Sequence, residues 1–387
     1  MVQTGLNMET MKEKNRALIL NYINASGPVS RKDISAGTGL TPSAVTQICS
    51  TFIQEGILKE LGIEEEGSGV GRKKILVDID WQSKVIVCVN IEVPLSTVCI
   101  CDLSGNLIAQ STVETWRSIE EEKFFDSITA EILKLVKSNS KLKKKLGGVC
   151  VSVPGSIDKA KGTSLHAYGI WRKEIPVCSL LEERLKKAKL PLSVMIENNV
   201  NALGLAELIY GKDKHIDDFF IIKWGPGVGC TIVANRQIYE GRHGKAAELG
   251  HYIVEKNGLQ CNCGKRGCLE TKVSYSALNS VTPFKIDEFG EAYEKALKEK
   301  NSSLEAFDNA IDLFARAVVN TVTVLSPGMV VLCGKLFKSE KVRQKLIECC
   351  SFYDERCTSE LIKYSTLADK EEYIGQAAAF VHEKIFH

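Results

Sequence analysis

Apolar residues near the start of the chain follow helical spacing. In TPSAVTQICSTFIQEG (41–56), Val45, Ile48, Cys49, Phe52 and Ile53 fall at i, i+3, i+4, i+7 and i+8, which makes one apolar face. Thr41 suits the N-cap and Pro42 the first helical position. The other face presents Ser43, Ala44, Thr46, Gln47 and Ser50, small and polar groups free to approach base edges. Ahead of it Ser30 caps a short helix holding Arg31, Lys32, Asp33 and Ile34, and a Gly-Thr-Gly turn (37–39) joins the two. Short helix, glycine turn and second helix predict a helix-turn-helix. Residues 57–80 predict a two-stranded ribbon around the tip EEEGSGVGRKK, the wing.

From about residue 84 the texture changes to strands. KVIVCVNIEV, STVCICDL and NLIAQSTVET are three β-rich runs with short turns. A helix at about 120–138, the strand GGVCVSVPG, a helix at 179–189, the strand LSVMIENN and a helix at 200–211 follow. IDDFFIIKWGPGVGCTIVANRQI gives two strands around a Gly-rich turn, and an amphipathic helix at 304–325 precedes MVVLCG. A meander followed by alternating helices and strands predicts an α/β domain with a mixed sheet, in two lobes with a cleft between them.

Composition narrows this picture. The chain has 387 residues and a net charge of +2, so bulk charge argues neither for nor against a polyanionic partner. No apolar run follows a basic start, and no stretch has the length of a membrane span, so a cytoplasmic protein is expected. Residues 1–80 hold nine Lys/Arg and ten Asp/Glu, but the positive ones cluster as Arg31-Lys32 and Arg72-Lys73-Lys74. Candidate DNA contacts are therefore Arg31, Ser43, Thr46 and Gln47 on the helices and Arg72 and Lys73 on the wing; the competing reading is a three-helix bundle for dimerisation. The lysines of KLVKSNSKLKKKLGG (134–148) have no interleaved aromatics and read as a solvated helix end.

Of the 14 cysteines, Cys88, Cys99, Cys101, Cys150, Cys230 and Cys333 sit in apolar strand-like runs and read as small buried hydrophobes, without disulfides. Three differ. GHYIVEKNGLQCNCGKRGCLE (250–270) places His251, Cys261, Cys263 and Cys268 in one polar, Gly-rich window, which matches a closed structural zinc site. Four protein ligands leave no open position for catalysis.

The motif CNCGKRGCLE (261–270), with AELGH (247–251), VPGSID (153–158) and IENNVNALGLAE (196–207), resembles the ROK family of sugar kinases and sugar-responsive repressors, over nearly the whole chain. The winged helix is similar to the repressor branch. The resemblance implies an actin-like fold of two ribonuclease-H-like lobes: residues 1–80 as the winged helix, 81–198 as the first lobe, completed by a C-terminal helix at 373–387, and 199–372 as the second lobe with the zinc motif. It implies sugar contacts at Asn198, Asn199, Glu248, His251 and Glu270, with His251 also a zinc ligand.

Departures from the kinase pattern matter as much. The family's catalytic aspartate is matched by Asn199, and a carboxamide cannot take a proton at neutral pH. The first phosphate loop is matched by VNIEVPLST (89–97), with Glu92, Val93 and Pro94 where glycines are needed; glutamate repels phosphate and proline has no N–H to offer. GPGVG (225–229) keeps part of a second loop, and SPGMVVLCGKLF one glycine, Gly334, of a third. The expectation is a sugar-responsive transcriptional regulator, a repressor of carbohydrate-utilisation genes, that is no enzyme. Its expected partners are an operator in double-stranded DNA and a small sugar effector, and it is expected to be a homodimer or homotetramer. The alternative is an ATP-dependent sugar kinase with an appended DNA-binding domain.

Overall fold

The computed structural model describes residues 8–63, 74–116, 119–167, 169–244, 246–282, 289–300 and 302–386. It begins with α1 (Met8–Ser26), β1 (Val29–Ser30), α2 (Arg31–Thr38), α3 (Pro42–Gln54), β2 (Leu58–Ile63) and β3 (Ile75–Ile79). Ser30 caps α2 by accepting from the Asp33 amide at 3.2 Å, and Gly39, at φ 71°, ends it. Thr41 caps α3 through the Ala44 amide at 3.3 Å, with Pro42 in the first turn. Val45, Cys49 and Phe52 are buried with Ile19, Leu20, Ile23 and Ile34. Strands β2 and β3 form the expected ribbon, and the two-residue β1, which the sequence pattern did not indicate, makes it a three-stranded sheet of order β1-β3-β2. The ribbon tip, with Arg72 and Lys73, lies outside the described residues.

The first lobe comprises β4 (Val85–Asn90), β5 (Leu95–Asp102), β6 (Leu107–Glu114), α4 (Glu121–Ser138), β7 (Leu146–Val153), β8 (Ser156–Asp158), β9 (Thr163–His166), α5 (Val177–Lys187) and β10 (Val194–Asn198). The helix α6 (Asn199–Tyr210) leads to the second lobe, with β11 (Phe219–Trp224), β12 (Val228–Ala234), β13 (Gln237–Ile238), α7 (Glu270–Val273), α8 (Tyr275–Val281), α9 (Phe289–Glu299), α10 (Ser302–Leu325), β14 (Met329–Cys333), α11 (Glu340–Tyr353) and β15 (Ile362–Tyr364). Then α12 (Ile374–Val381) returns to pack on β4 and β7 of the first lobe.

The two sheets share one plan. In the first, of order β10-β7-β4-β5-β6, the meander β4-β5-β6 is antiparallel and β7 and β10 are parallel to β4. In the second, of order β13-β12-β11-β14-β15, β11-β12-β13 is the meander and β14 and β15 are the parallel strands. Strand β4 is buried along its whole length because helices cover both faces, which is why VIVCVN reads as a continuous apolar run. The edge strand β6 alternates instead.

Helix α6 is apolar all round because it is enclosed, with Val200 and residues 202–209 buried. It crosses α12 at close range: a Cβ at Gly375 would lie 3.0 Å from the Ala202 carbonyl carbon. All 14 cysteines are free, and Cys88 and Cys101 approach to 3.3 Å between sulfurs without a bond. Among the described residues no helix is long and apolar enough to cross a membrane.

Candidate functional site

Between the lobes lies a cleft of about 1540 Å³, and Asn198, Asn199, Glu248, His251 and Glu270 all line it. The sequence-predicted sugar residues are thus brought together from β10, α6, the segment after β13 and α7. Their roles differ.

Asn198 is the N-cap of α6. Its Oδ1 accepts from the Val200 and Asn201 amides at 2.9 and 3.0 Å, and its Nδ2 donates to the Gly155 carbonyl at 2.7 Å. One N–H is left for a ligand, while the rest of the carboxamide holds the helix start to the Gly155 turn. The side chain of Asn199, half-buried, makes no hydrogen bond to the protein among the described residues, and its carboxamide is available to the cleft.

The segment from 246 to 270 supplies the opposite wall. Ala247 takes a left-handed φ of 59°, which costs a non-glycine residue about 1–2 kcal/mol. Its neighbour Glu248 places Oε2 3.7 Å from Nε2 of His251. The other ring nitrogen, Nδ1, is 3.6 Å from the Cys261 sulfur, and Cys263 and Cys268 sulfurs are 3.7 Å apart. All four ligand atoms lie within 4.8 Å of one another, so the cluster could hold a metal ion. His251 therefore divides its ring between the cysteines on one side and the cleft on the other. Glu270, the first residue of α7, accepts from the Val228 amide at 3.1 Å. Gly227 makes room for it, since a Cβ there would lie 2.5 Å from Glu270 Oε2.

The end of the cleft that the resemblance would give to phosphate holds carboxylates. Lys223, on β11, places Nζ 3.0 Å from Glu92, which follows β4, and 3.1 Å from Glu371, which precedes α12. Burial alone pushes the ammonium down, but the two carboxylates outweigh it and hold its pKa above the ordinary lysine value. The other Glu371 oxygen accepts from the Gly334 amide at 2.9 Å, and Asn90 donates to Glu92 at 3.4 Å. So the amides of Val228 and Gly334, from the second and third loops, are each already bonded to a glutamate. The repulsive character of Glu92 was legible in the sequence; its partner Lys223 was not, because an isolated lysine in an apolar strand carries no pattern.

A second triad, also missed, supports the other rim. Lys159 lies 2.7 Å from the buried Glu197 and 2.5 Å from Glu240. Burial raises the Glu197 pKa and Lys159 opposes it; burial lowers that of Lys159, and the two carboxylates reverse the sign.

In the winged helix, Ser43, Thr46 and Gln47 are exposed on α3, as the spacing indicated. The Thr46 hydroxyl donates to the Pro42 carbonyl at 2.8 Å, which leaves its oxygen as an acceptor. Arg31 pairs with Glu60 of β2 at 2.8 Å, with 23% of its side chain exposed, and pins α2 to the ribbon.

Comparisons with known proteins agree with this architecture. The ROK family profile matches residues 86–384, and a winged helix-turn-helix DNA-binding profile matches residues 13–59. The DNA-binding transcriptional dual regulator NagC of Escherichia coli K12 is 24% identical over 363 residues, 89% of this chain and 86% of that protein. The xylose repressor of Bacillus subtilis 168 is 26% identical over 336 residues, 85% of this chain and 84% of that protein. A crystal structure of a ROK family transcriptional regulator, a homolog of the E. coli MLC protein, superposes with a TM-score of 0.77 at 19% identity, over 97% of this chain and 98% of the other. A ROK family glucokinase from Streptomyces griseus, in complex with glucose and AMPPNP, gives 0.59 at 20% identity, over 76% and 98%. With the profile matched across both lobes, this chain belongs to the ROK family and carries a winged helix-turn-helix domain in front of the family's actin-like domain.

Proposed function

We propose that this protein is a sugar-responsive DNA-binding regulator, a repressor of carbohydrate-utilisation genes, which binds its effector in the cleft and does not phosphorylate it. One observation carries the reading: the sugar wall is intact while the phosphate end is occupied by the protein itself. Asn199, Glu248, His251 and Glu270 offer donors and acceptors to hydroxyls from two sides. Lys223 already has two carboxylates, and the Val228 and Gly334 amides one each, so these three groups are already engaged and not free to receive a triphosphate. Asn199 cannot act as the base. The named functions of NagC and the xylose repressor support the same assignment.

The metal is zinc. A tetrahedron with Zn–S of about 2.3 Å and Zn–N of about 2.0–2.1 Å has S···S edges of about 3.8 Å and N···S edges of about 3.6 Å. The observed separations are 3.7 Å between Cys263 and Cys268 and 3.6 Å between Cys261 and His251 Nδ1. His251, Cys261, Cys263 and Cys268 would hold the ion, which fixes the ring so that Nε2 faces the sugar. Operator contacts fall to Ser43, Thr46 and Gln47 in the major groove, with Arg72 and Lys73 of the wing at the backbone or minor groove. The protein acts as a homodimer or homotetramer on a palindromic operator.

Release requires the sugar to prefer the DNA-incompetent state; tight binding alone would shift nothing. The test is genomic selection of operator fragments with the full-length protein, then a thermal-shift and DNA-release panel of sugars with and without ATP. The expected result is sequence-specific retention and a rise in melting temperature with one sugar, independent of ATP. Glu248→Ala should lose the sugar response and keep operator binding. No specific retention at modest salt, or ADP release with any sugar, would overturn the proposal.

A further inference from the structure

The two walls of the cleft meet at one rim. On the first lobe, the hairpin β8–β9 stands apart from the five-stranded sheet as a sheet of its own. It is anchored by the bond from Asn198 to the Gly155 carbonyl and by the Cys178 amide of α5, which donates to the Gly162 carbonyl at 3.0 Å. Lys159 lies between its strands. On the second lobe, the Tyr239 amide donates to the Ile232 carbonyl at 2.8 Å, and Glu240 follows it out of the sheet. The Lys159 ammonium spans the gap to Glu240 at 2.5 Å, and both residues line the cleft. Beside them a Cβ at Gly244 would lie 3.9 Å from the Ile157 carbonyl oxygen.

This pair can part at small cost. Its side chains are 41% and 46% exposed, and ion pairs so exposed to water are weak. When Glu240 leaves, its carboxylate is hydrated, while Lys159 keeps the buried Glu197 at 2.7 Å. Neither charge is then left buried and unpaired, which is what makes the parting of a buried pair expensive. Lys223, which also joins the lobes, is mostly buried between its carboxylates and is the bridge that stays. Both halves of the rim pair lead to effector residues. The Glu240 carbonyl accepts from the Ala246 amide at 3.1 Å, and the loop so closed, with left-handed Gly241 and Gly244 at φ 64° and 63°, runs directly into Ala247 and Glu248. Glu197 accepts from the Asn198 amide at 2.8 Å, so the Lys159 side is fixed to the strand end that carries Asn198 and Asn199. A displacement of Glu240 therefore shifts the Glu248 wall against the asparagines.

We infer that Lys159 and Glu240 form a latch across the mouth of the cleft, which parts to admit the sugar and re-forms over it. This rests on the sugar-sensing reading above. The experiment uses the full-length protein and its Glu240→Gln and Glu240→Lys variants. Both keep the Lys159–Glu197 pair, so no buried charge is orphaned; the first removes the attraction across the rim and the second replaces it with repulsion. D-xylose, glucose, N-acetylglucosamine and N-acetylmannosamine are screened by calorimetry, which gives Kd. Association and dissociation rate constants follow from stopped-flow tryptophan fluorescence, with Trp171 in the cleft wall.

An exposed pair of this kind should slow entry and exit by about two- to fivefold. In Glu240→Gln both rate constants should rise by that factor and Kd should stay within about twofold, and in Glu240→Lys both should rise further. Added sodium chloride should speed the wild type toward the Glu240→Gln rates and leave that variant nearly unchanged, since these sugars carry no charge to be steered. A latch gives this pattern; a direct sugar contact at Glu240 would raise dissociation and Kd alone. That outcome, or rate constants in Glu240→Lys equal to wild type, would overturn the inference and leave the regulator reading intact. Failure of every sugar to bind the wild-type protein would overturn the regulator reading, and this inference with it.

Discussion

Replacing Lys223 with methionine keeps the length of the side chain and removes the ammonium between Glu92 and Glu371. The lysine side chain is 10% exposed, Glu371 14% and Glu92 26%. Deleting one partner of a buried ion pair costs about 3–5 kcal/mol, because the other charge is left unpaired. Glu92 opens toward the cleft and water screens part of its charge, so about 2–4 kcal/mol is the expected loss here. For a chain of this size that corresponds to a fall in melting temperature of about 2–5 °C. The same two carboxylates, now facing each other, should be relieved by a second change: Glu92→Gln on the Lys223→Met background should recover half the loss or more.

The assay is urea unfolding of the four proteins of this cycle, followed by fluorescence and calorimetry. The pH dependence has a definite sign. The folded pKa of Lys223 is raised, so its contribution is fully present below the ordinary lysine pKa of about 10.4 and is lost only as pH rises through the higher folded value. The gap between wild type and Lys223→Met should therefore be flat from about pH 6 to 9. A gap under about 0.5 kcal/mol, or no coupling between positions 92 and 223, would mean that water already screens the triad and that it does not tie the lobes.

Cys263→Ser should lower bound zinc, measured by elemental analysis, from near one per chain to a small fraction, and should weaken sugar binding as well as stability, since His251 and Glu270 flank the metal loop. Asn199→Asp restores the base type but leaves Lys223, Val228 and Gly334 paired; a coupled ADP-release assay should stay at background, and turnover above it would show that the carboxylates do not block the phosphate end. Gly227→Ala puts a Cβ 2.5 Å from Glu270 Oε2 and should displace that carboxylate, lowering sugar affinity by calorimetry about tenfold, or ~1.4 kcal/mol, with the operator affinity unchanged.

Elements with a local signature were legible in the sequence. The caps at Ser30 and Thr41, the apolar stripe of α3, the buried run of β4 and the enclosed α6 follow from spacing and residue type alone. The hairpin β8–β9, the two-residue β13 and the three-residue β15 were not, because strands so short hold too few residues for a period to show. Helix α11 was missed for a different reason: only Val342, Leu346 and Cys350 of its fourteen residues are buried, a thin stripe in a charged segment.

The site divides along the same line. The candidate metal ligands lie within one short window, and a window is what a sequence displays. Asn198 and Asn199 of IENNVNALGLAE are adjacent and chemically identical, yet the first spends its carboxamide on a helix cap and the Gly155 turn while the second faces the cleft. That difference is set by backbone direction at a strand-to-helix junction: the residue at the N-cap turns its oxygen back to the amides of the first turn, and the next residue, already helical, projects outward. The ion triad is less legible still, since it joins positions 92, 223 and 371, and charge complementarity between residues so far apart has meaning only once the two sheets face each other. For this reason the proposal that the protein is no kinase rests more on Lys223 than on Asn199. A substitution at the base would remove one step, whereas a lysine held by two carboxylates would fill the place proposed for a triphosphate, and changing one residue would not empty it.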